Sequence, residues 1–233
     1  NGIIKINFNS STYYGYATFA KSIYSCISSF DGSTYCSLHT SLGSIYHKRA
    51  SFSNSVYTYT SDNSDSIYND KVNFNDSIYH EPVYYNSKYN SDSDFSGSVF
   101  YGSIIFNKKP SSSEFSNKVP IFYNIESQRN SLFNSRENEF STKNYKINPI
   151  DLNTEKIPYE CLLLTYDQNK YIKNTFQEII YEKDNMHTSQ QPQERQECLR
   201  KIQSLAEELR NWRDEVTTVK LKVEDVAAED TKS

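Results

Sequence analysis

Aliphatic residues are scarce in this 233-residue chain: hydrophobic residues of all kinds make up 36% of it, and aromatics alone supply 15%. Low aliphatic content beside abundant Ser and Asn is the composition of a disordered segment, but 20 Tyr and 13 Phe argue for a packed core. No apolar stretch approaches the roughly 18 residues a membrane helix needs, so no membrane partner is expected. The net charge is −4 and no long basic run occurs, which leaves no nucleic-acid footprint. Cys26, Cys36, Cys161 and Cys198 are too few and too scattered for a disulfide framework, and they favour a reducing compartment, cytoplasmic or cytoskeletal. There is no GxSxG, P-loop or GxGxxG pattern, and glycine does not recur after Gly102. These absences predict no catalytic residue, no cofactor and a non-enzymatic protein. The chain opens on Asn1 rather than Met, as processed or truncated chains do.

What is present is a repeat. Cutting every eleven residues from Ser11 gives seven blocks that all begin Ser, then Thr, Ile or Val, then Tyr. The tyrosines are Tyr13, Tyr24, Tyr35, Tyr46, Tyr57, Tyr68 and Tyr79. A second aromatic follows most of them at six residues: Phe19, Phe30, Phe52, Phe74 and Tyr85, with Phe8 one period before the first block. After residue 87 the pattern degrades, although Tyr101, Tyr123 and Tyr145 stay on the same grid at double spacing.

An eleven-residue period can describe a right-handed helical coil, but Tyr at block position three and the aromatic at nine fall on different helix faces. Ser, Thr, Asn and Tyr are also poor helix formers, whereas Ile, Val, Thr, Tyr and Phe suit strands. Eleven is odd, so an unbroken strand would turn its face over at each repeat; a turn must intervene, and DG, LG, SN, SD and ND end the blocks. A meander and a solenoid both satisfy this. The alternation Thr12, Ile23, Thr34, Ile45 suggests a two-block unit and favours the antiparallel meander over the β-solenoid.

The remainder divides by composition. Residues 1–98 form the repeat region and 99–150 a degenerate continuation of strands and loops, slightly basic where residues 55–98 are acidic. Residues 151–186 hold a short strand within IPYECLLLTY and a helix with Ile172, Phe176, Ile179 and Ile180 on one face. Residues 187–197 read as a linker and 198–228 as a coiled-coil helix. There Ile202, Leu209, Val216 and Val223 occupy heptad a positions, with Cys198, Leu205, Trp212, Val219 and Val226 at d. A parallel partner helix would pair Glu208 with Arg213 and Glu215 with Lys220, so residues 198–226 are expected to bind a second copy or another helix. The alternative is an amphipathic helix docked on its own domain.

Few site candidates stand out. Cys26, Cys36, His39 and His47 have the spacing C-x9-C-x2-H-x7-H, which lacks the close ligand pairs of structural zinc sites; in a solenoid, Cys36 and His47 share block position four and would stack. Tyr68 and Tyr79, flanked by Asp and Asn, have the look of kinase substrates, and Asn9 and Asn75 head glycosylation sequons. The sequence therefore points first to a structural or scaffold protein. Its C-terminal coiled coil would oligomerise it, and its Tyr/Phe repeat would face a filament, a polymer or itself. A disordered signalling adaptor with Tyr and Ser docking motifs is the second reading, and an enzyme without a recognisable motif the third.

Overall fold

The computed structural model describes residues 4–108, 111–116, 118–134, 137–142 and 150–219. Each block makes the same local structure. Block positions two and three form a two-residue strand, as in Thr34–Tyr35, and positions seven and eight form a second, as in His39–Thr40. The last residue of a block turns the corner in the left-handed region: Lys21, Gly32, Gly43, Asn54, Asp65, Asp76 and Gly97 all have φ between 54° and 67°. This is why the block ends are rich in Gly, Asn and Asp.

Two blocks close one coil, so the chain is a parallel β-solenoid with four faces and about five coils. The antiparallel meander is overturned. Every pairing between coils of the repeat is parallel, and residue i lies opposite i+22, as Thr12 opposite Thr34 and Val56 opposite Ile78. The Thr/Ile alternation does report a two-block unit, but the two blocks occupy different faces of one coil. Face 1 carries Lys5–Asn7, Ile27–Ser29, Ala50–Ser51, Val72–Asn73 and Ser93–Asp94. Face 2 runs from Thr12–Tyr13 through Val99–Phe100 to Leu132–Phe133 and Leu162–Leu163. Face 3 runs from Ala17–Thr18 to Ile104–Ile105, and face 4 from Ile23–Tyr24 to Glu114–Phe115.

Parallel stacking wins because it sets like on like. Tyr13, Tyr35, Tyr57, Tyr79, Phe100 and Phe133 stack with ring centroids 4.7–5.1 Å apart. Tyr24, Tyr46, Tyr68, Tyr89 and Phe115 form a second column at 4.7–5.2 Å, and Phe8, Phe30, Phe52, Phe74, Phe95 and Phe122 a third at 4.7–5.4 Å. The block-opening serines form two further lines. Ser55 Oγ accepts from Ser33 N at 3.2 Å and donates to Phe30 O at 3.4 Å; Ser77 does the same for Ser55 N and Phe52 O, both at 3.2 Å. Each serine thus ties its coil to the one before, in space too small for a larger side chain.

The repeat does not fade at residue 87. Block seven, Ser77–Asn86, is one residue short, and the pattern resumes one place early. Val72 therefore pairs with Ser93 and Ile78 with Val99, a spacing of 21. Tyr89, Phe95, Phe100 and Phe106 hold the core positions, whereas Tyr101, on the uninterrupted grid, points outward to stack on His80 at 5.3 Å. Tyr123 lies in a small antiparallel hairpin and Tyr145 outside the described residues.

Two helices follow, α1 (Tyr166–Thr188) and α2 (Pro192–Thr217). Thr165 and Gln168 close a capping box on α1, and Pro192 starts α2, where its missing N–H costs nothing. The seam read as a coiled coil is spent within the chain. Ile202, Ala206 and Leu209 join Ile172, Phe176 and Ile179 of α1 over Val56, Ile78, Val99 and Leu132 of face 2, in one buried cluster. Leu205, Trp212 and Val216 pack half-buried at its margin, and Arg213 is buried rather than held out to a partner's glutamate. The helix stops at Thr217, Val219 continues as extended chain, and Val223 and Val226 lie outside the described residues. A seven-residue apolar stripe fits a flat sheet as well as it fits another helix, and here the sheet is already present.

Candidate functional site

The repeat aromatics are interior. Tyr35, Tyr46, Tyr57, Tyr68, Tyr79, Phe30, Phe52 and Phe74 are all buried, with Tyr24 close behind and Tyr13 and Phe19 half-buried in the first coil. Burial drives the phenol pKa values up, without exception among the buried ladder tyrosines from Tyr24 to Tyr89. Of the two placements the sequence leaves open for these residues, repeat surface or core, the structure has the core: at positions three and nine the side chains point inward on all four faces, and the rows open to a partner are their neighbours. Tyr68 and Tyr79 meet a kinase only in an unfolded chain.

Face 2 lies under the helices, and α2 is held there by arginines that grip successive left-handed corners. Arg210 donates to Gly32 O at 3.0 Å, Thr34 Oγ1 at 2.9 Å and Asn54 O at 3.2 Å. Arg213, three residues on, donates to Asn54 Oδ1 at 2.9 Å and to Asp76 O. Three residues of α-helix rise about 4.5 Å, close to the roughly 4.8 Å between strands, so the two guanidinium groups step along the coils in register. Arg129 completes the cluster, reaching Asp76 at 3.1 Å and Asp214 at 2.5 Å. Burial raises both carboxyls; for Asp214, Arg129 and Arg213 outweigh it and hold the pKa below the ordinary value, whereas Asp76 stays above. Arg129, from the slightly basic middle of the chain, thus links Asp76 of the acidic repeat to α2, and the cluster anchors a helix.

Across the coil from the helices, no element among the described residues covers face 4. Its outward positions form two rows. Block position two gives Ile23, Ile45 and Ile67, continued by Lys88 and Glu114, an ion pair at 3.6 Å. Ile23 is 67% exposed, and Ile45 and Ile67 are half-buried between neighbours. Block position four gives His47, Asn69, Asn90 and Ser116, hydrogen-bonded along the solenoid: Asn69 Nδ2 to His47 Nδ1 at 3.3 Å, Asn90 Nδ2 to Asn69 Oδ1 at 2.8 Å, and Ser116 Oγ to Asn90 Oδ1 at 3.0 Å. Behind them stands the Tyr24–Phe115 ring column, which keeps the face flat and stiff. The result is an apolar row beside a row of amide, imidazole and hydroxyl groups, repeating at the strand spacing of roughly 4.8 Å.

The four residues weighed as zinc ligands do not come together. A coil is 22 residues, so Cys36 and His47, eleven apart, sit on different faces: Cys36 beneath the helices on face 2, His47 on face 4. Burial raises the Cys36 thiol pKa to about 12 and drives the His39 imidazole down to about 3 inside the core. Among the described residues, no group of three or more His, Cys, Asp or Glu is arranged to hold a metal ion. The serine lines and the arginine grip escaped the sequence reading. The invariant Ser opening each block was the available signal for the first; nothing in α2 marks Arg210 and Arg213 out. Comparison with protein-family models, curated proteins and solved structures finds no match to this chain.

Proposed function

We propose that the chain is a non-enzymatic structural protein whose face 4 lies along an uncharged, hydroxyl-rich linear polymer, a polysaccharide strand. The supporting observation is the pair of in-register rows on that face, one apolar and one hydrogen-bonding. A sugar ring offers the same two surfaces, C–H faces and hydroxyl edges. The charges at the end of the position-two row, Lys88 and Glu114, and those beside the rows in sequence, Lys48, Arg49 and Asp70, are of both signs, which favours an uncharged partner over a polyanion. Single contacts of this kind are weak, and a rigid face that repeats them adds them through avidity. Co-sedimentation with insoluble cellulose, chitin and xylan tests the proposal. The folded chain is expected in the pellet with at least one polymer, and Ile45→Asp with Ile67→Asp is expected to release it. No retention on any of the three, or retention that the double variant leaves unchanged, overturns it.

A further inference from the structure

The column of position-nine side chains on the face 3 side is unlike the other three. It reads Phe19, Ser41, Asn63, Tyr85 and Phe106, so two consecutive coils lack the ring that the coils on either side supply. At position seven the same coils carry His39 and Ser61, where Ala17 and Val83 flank them. His39 leans into part of the space, with its ring 4.6 Å from Tyr35 and 5.4 Å from Tyr57. Ser61 and Asn63 are smaller than Val83 and Tyr85 one coil on, so a polar chamber takes the place of a ring in the column.

The groups facing this chamber are polar, and all of them are buried. Asn63 Nδ2 donates to Ser61 Oγ at 3.2 Å, which frees the Ser61 hydroxyl to donate to His39 Nδ1 at 2.9 Å. The Nε2 hydrogen then faces Ser41 Oγ at 3.5 Å. One coil on, Tyr79 and Tyr85 bond hydroxyl to hydroxyl at 2.8 Å; by the 22-residue repeat, Tyr57 aims the same way at position 63, and Tyr35 at position 41. From the opposite face, Tyr46 reaches the neighbourhood of Ser41, and Tyr68, its equivalent, that of Asn63. Among the described residues, the hydroxyls of Tyr35, Tyr46 and Tyr68 and Oδ1 of Asn63 nevertheless have no partner at hydrogen-bond geometry. A buried polar group left so costs about 1–3 kcal/mol, and native cores rarely leave several together.

We infer that this chamber, bounded by Phe19 below and Tyr85 above, is a binding site for ordered water. Oδ1 of Asn63 only accepts hydrogen bonds, whereas the phenols both donate and accept. An anion would be repelled by the amide oxygen, and a cation would find no carboxylate among the groups named. Water meets both demands. The site gives the stack a wet layer between two dry ones.

The test is a high-resolution crystal structure of the full chain, with water-oxygen relaxation dispersion in solution. Density bridging Asn63 Oδ1 to a phenol hydroxyl is expected, together with a long-lived water signal. Ser61→Val with Asn63→Tyr copies the Val83/Tyr85 pair of the next coil and is expected to abolish both. The inference is overturned if the wild-type map shows protein groups closing the chamber on themselves, or if wild type and folded variant give the same dispersion. Should the variant fail to fold, the wild-type map decides.

Discussion

The solenoid and the helical pair are stabilised in different ways. A strand of two residues has no stability of its own, and in coils one to four every backbone bond that fixes it comes from the coil above or below. The helices, of 23 and 26 residues, satisfy their own backbones and owe the solenoid only a place to bury one stripe. A fault in the solenoid should therefore spread along the axis, and a fault in the helices should stay where it is made.

The sharpest way to break this comparison is a pair of matched deletions. Phe52→Ala removes the middle of the six-ring column and Phe176→Ala a buried ring of α1; each should cost about 3–5 kcal/mol in denaturant unfolding. Amide exchange should separate them, with Phe52→Ala lowering protection in the coils on both sides and Phe176→Ala only in the helices and face 2. Equal spread from both would defeat the distinction. Ser55→Ala should cost about 1–3 kcal/mol, because Ser33 N loses its acceptor and Phe30 O a donor inside the protein. An exposed serine such as Ser25 changed to Ala should move the midpoint little.

Acid offers a third probe, confined to the solenoid. Burial holds His39 neutral down to about pH 3, while in the unfolded chain it titrates near 6.5. Between those values the unfolded state binds the extra proton, so stability falls as pH drops below about 6.5, by up to about 1.4 kcal/mol per pH unit. Above pH 6.5 this contribution is constant. His39→Gln should flatten the slope relative to wild type; parallel pH profiles would show that His39 is not what senses acid. The smallest effect belongs to the helices: Thr165→Ala removes the capping box and should cost about 1 kcal/mol, with the loss of exchange protection limited to the first turn of α1.

The period, the turns and the aromatic core were legible because each recurs in the sequence. The mode of stacking was not. Meander and solenoid share strand length, turn residues and inward aromatics, and differ only in which backbone lies alongside. The Ser line was the discriminating signal, since a small hydroxyl at the same corner of every block makes sense when corners lie above corners. A fixed grid also hid the two best-ordered blocks after residue 87, where allowing one deletion recovers Tyr89, Phe95, Phe100 and Phe106. In the C-terminal segment the apolar stripe was legible only in part: Ile202 and Leu209 are buried, but Ala206 and Arg213 share their side while Leu205 and Trp212 lie at its margin, and nothing in the stripe says whether a sheet or a helix covers it. The open face is legible only indirectly: the Ile at block position two reads as strand propensity, and the Thr/Ile alternation gives a two-block unit without saying which side stays uncovered.

The coil of two blocks also constrains how such a gene can lengthen. Inserting a single eleven-residue unit would leave every strand and corner intact yet rotate all later coils by half a turn about the axis. Residues meant for the helix-covered side would emerge on the open one, and His47 and Asn69 would trade places with Thr58 and His80. Only duplications of 22 residues keep the sides distinct. Growth in this fold is by even numbers, and an odd copy is a mutation of the entire surface.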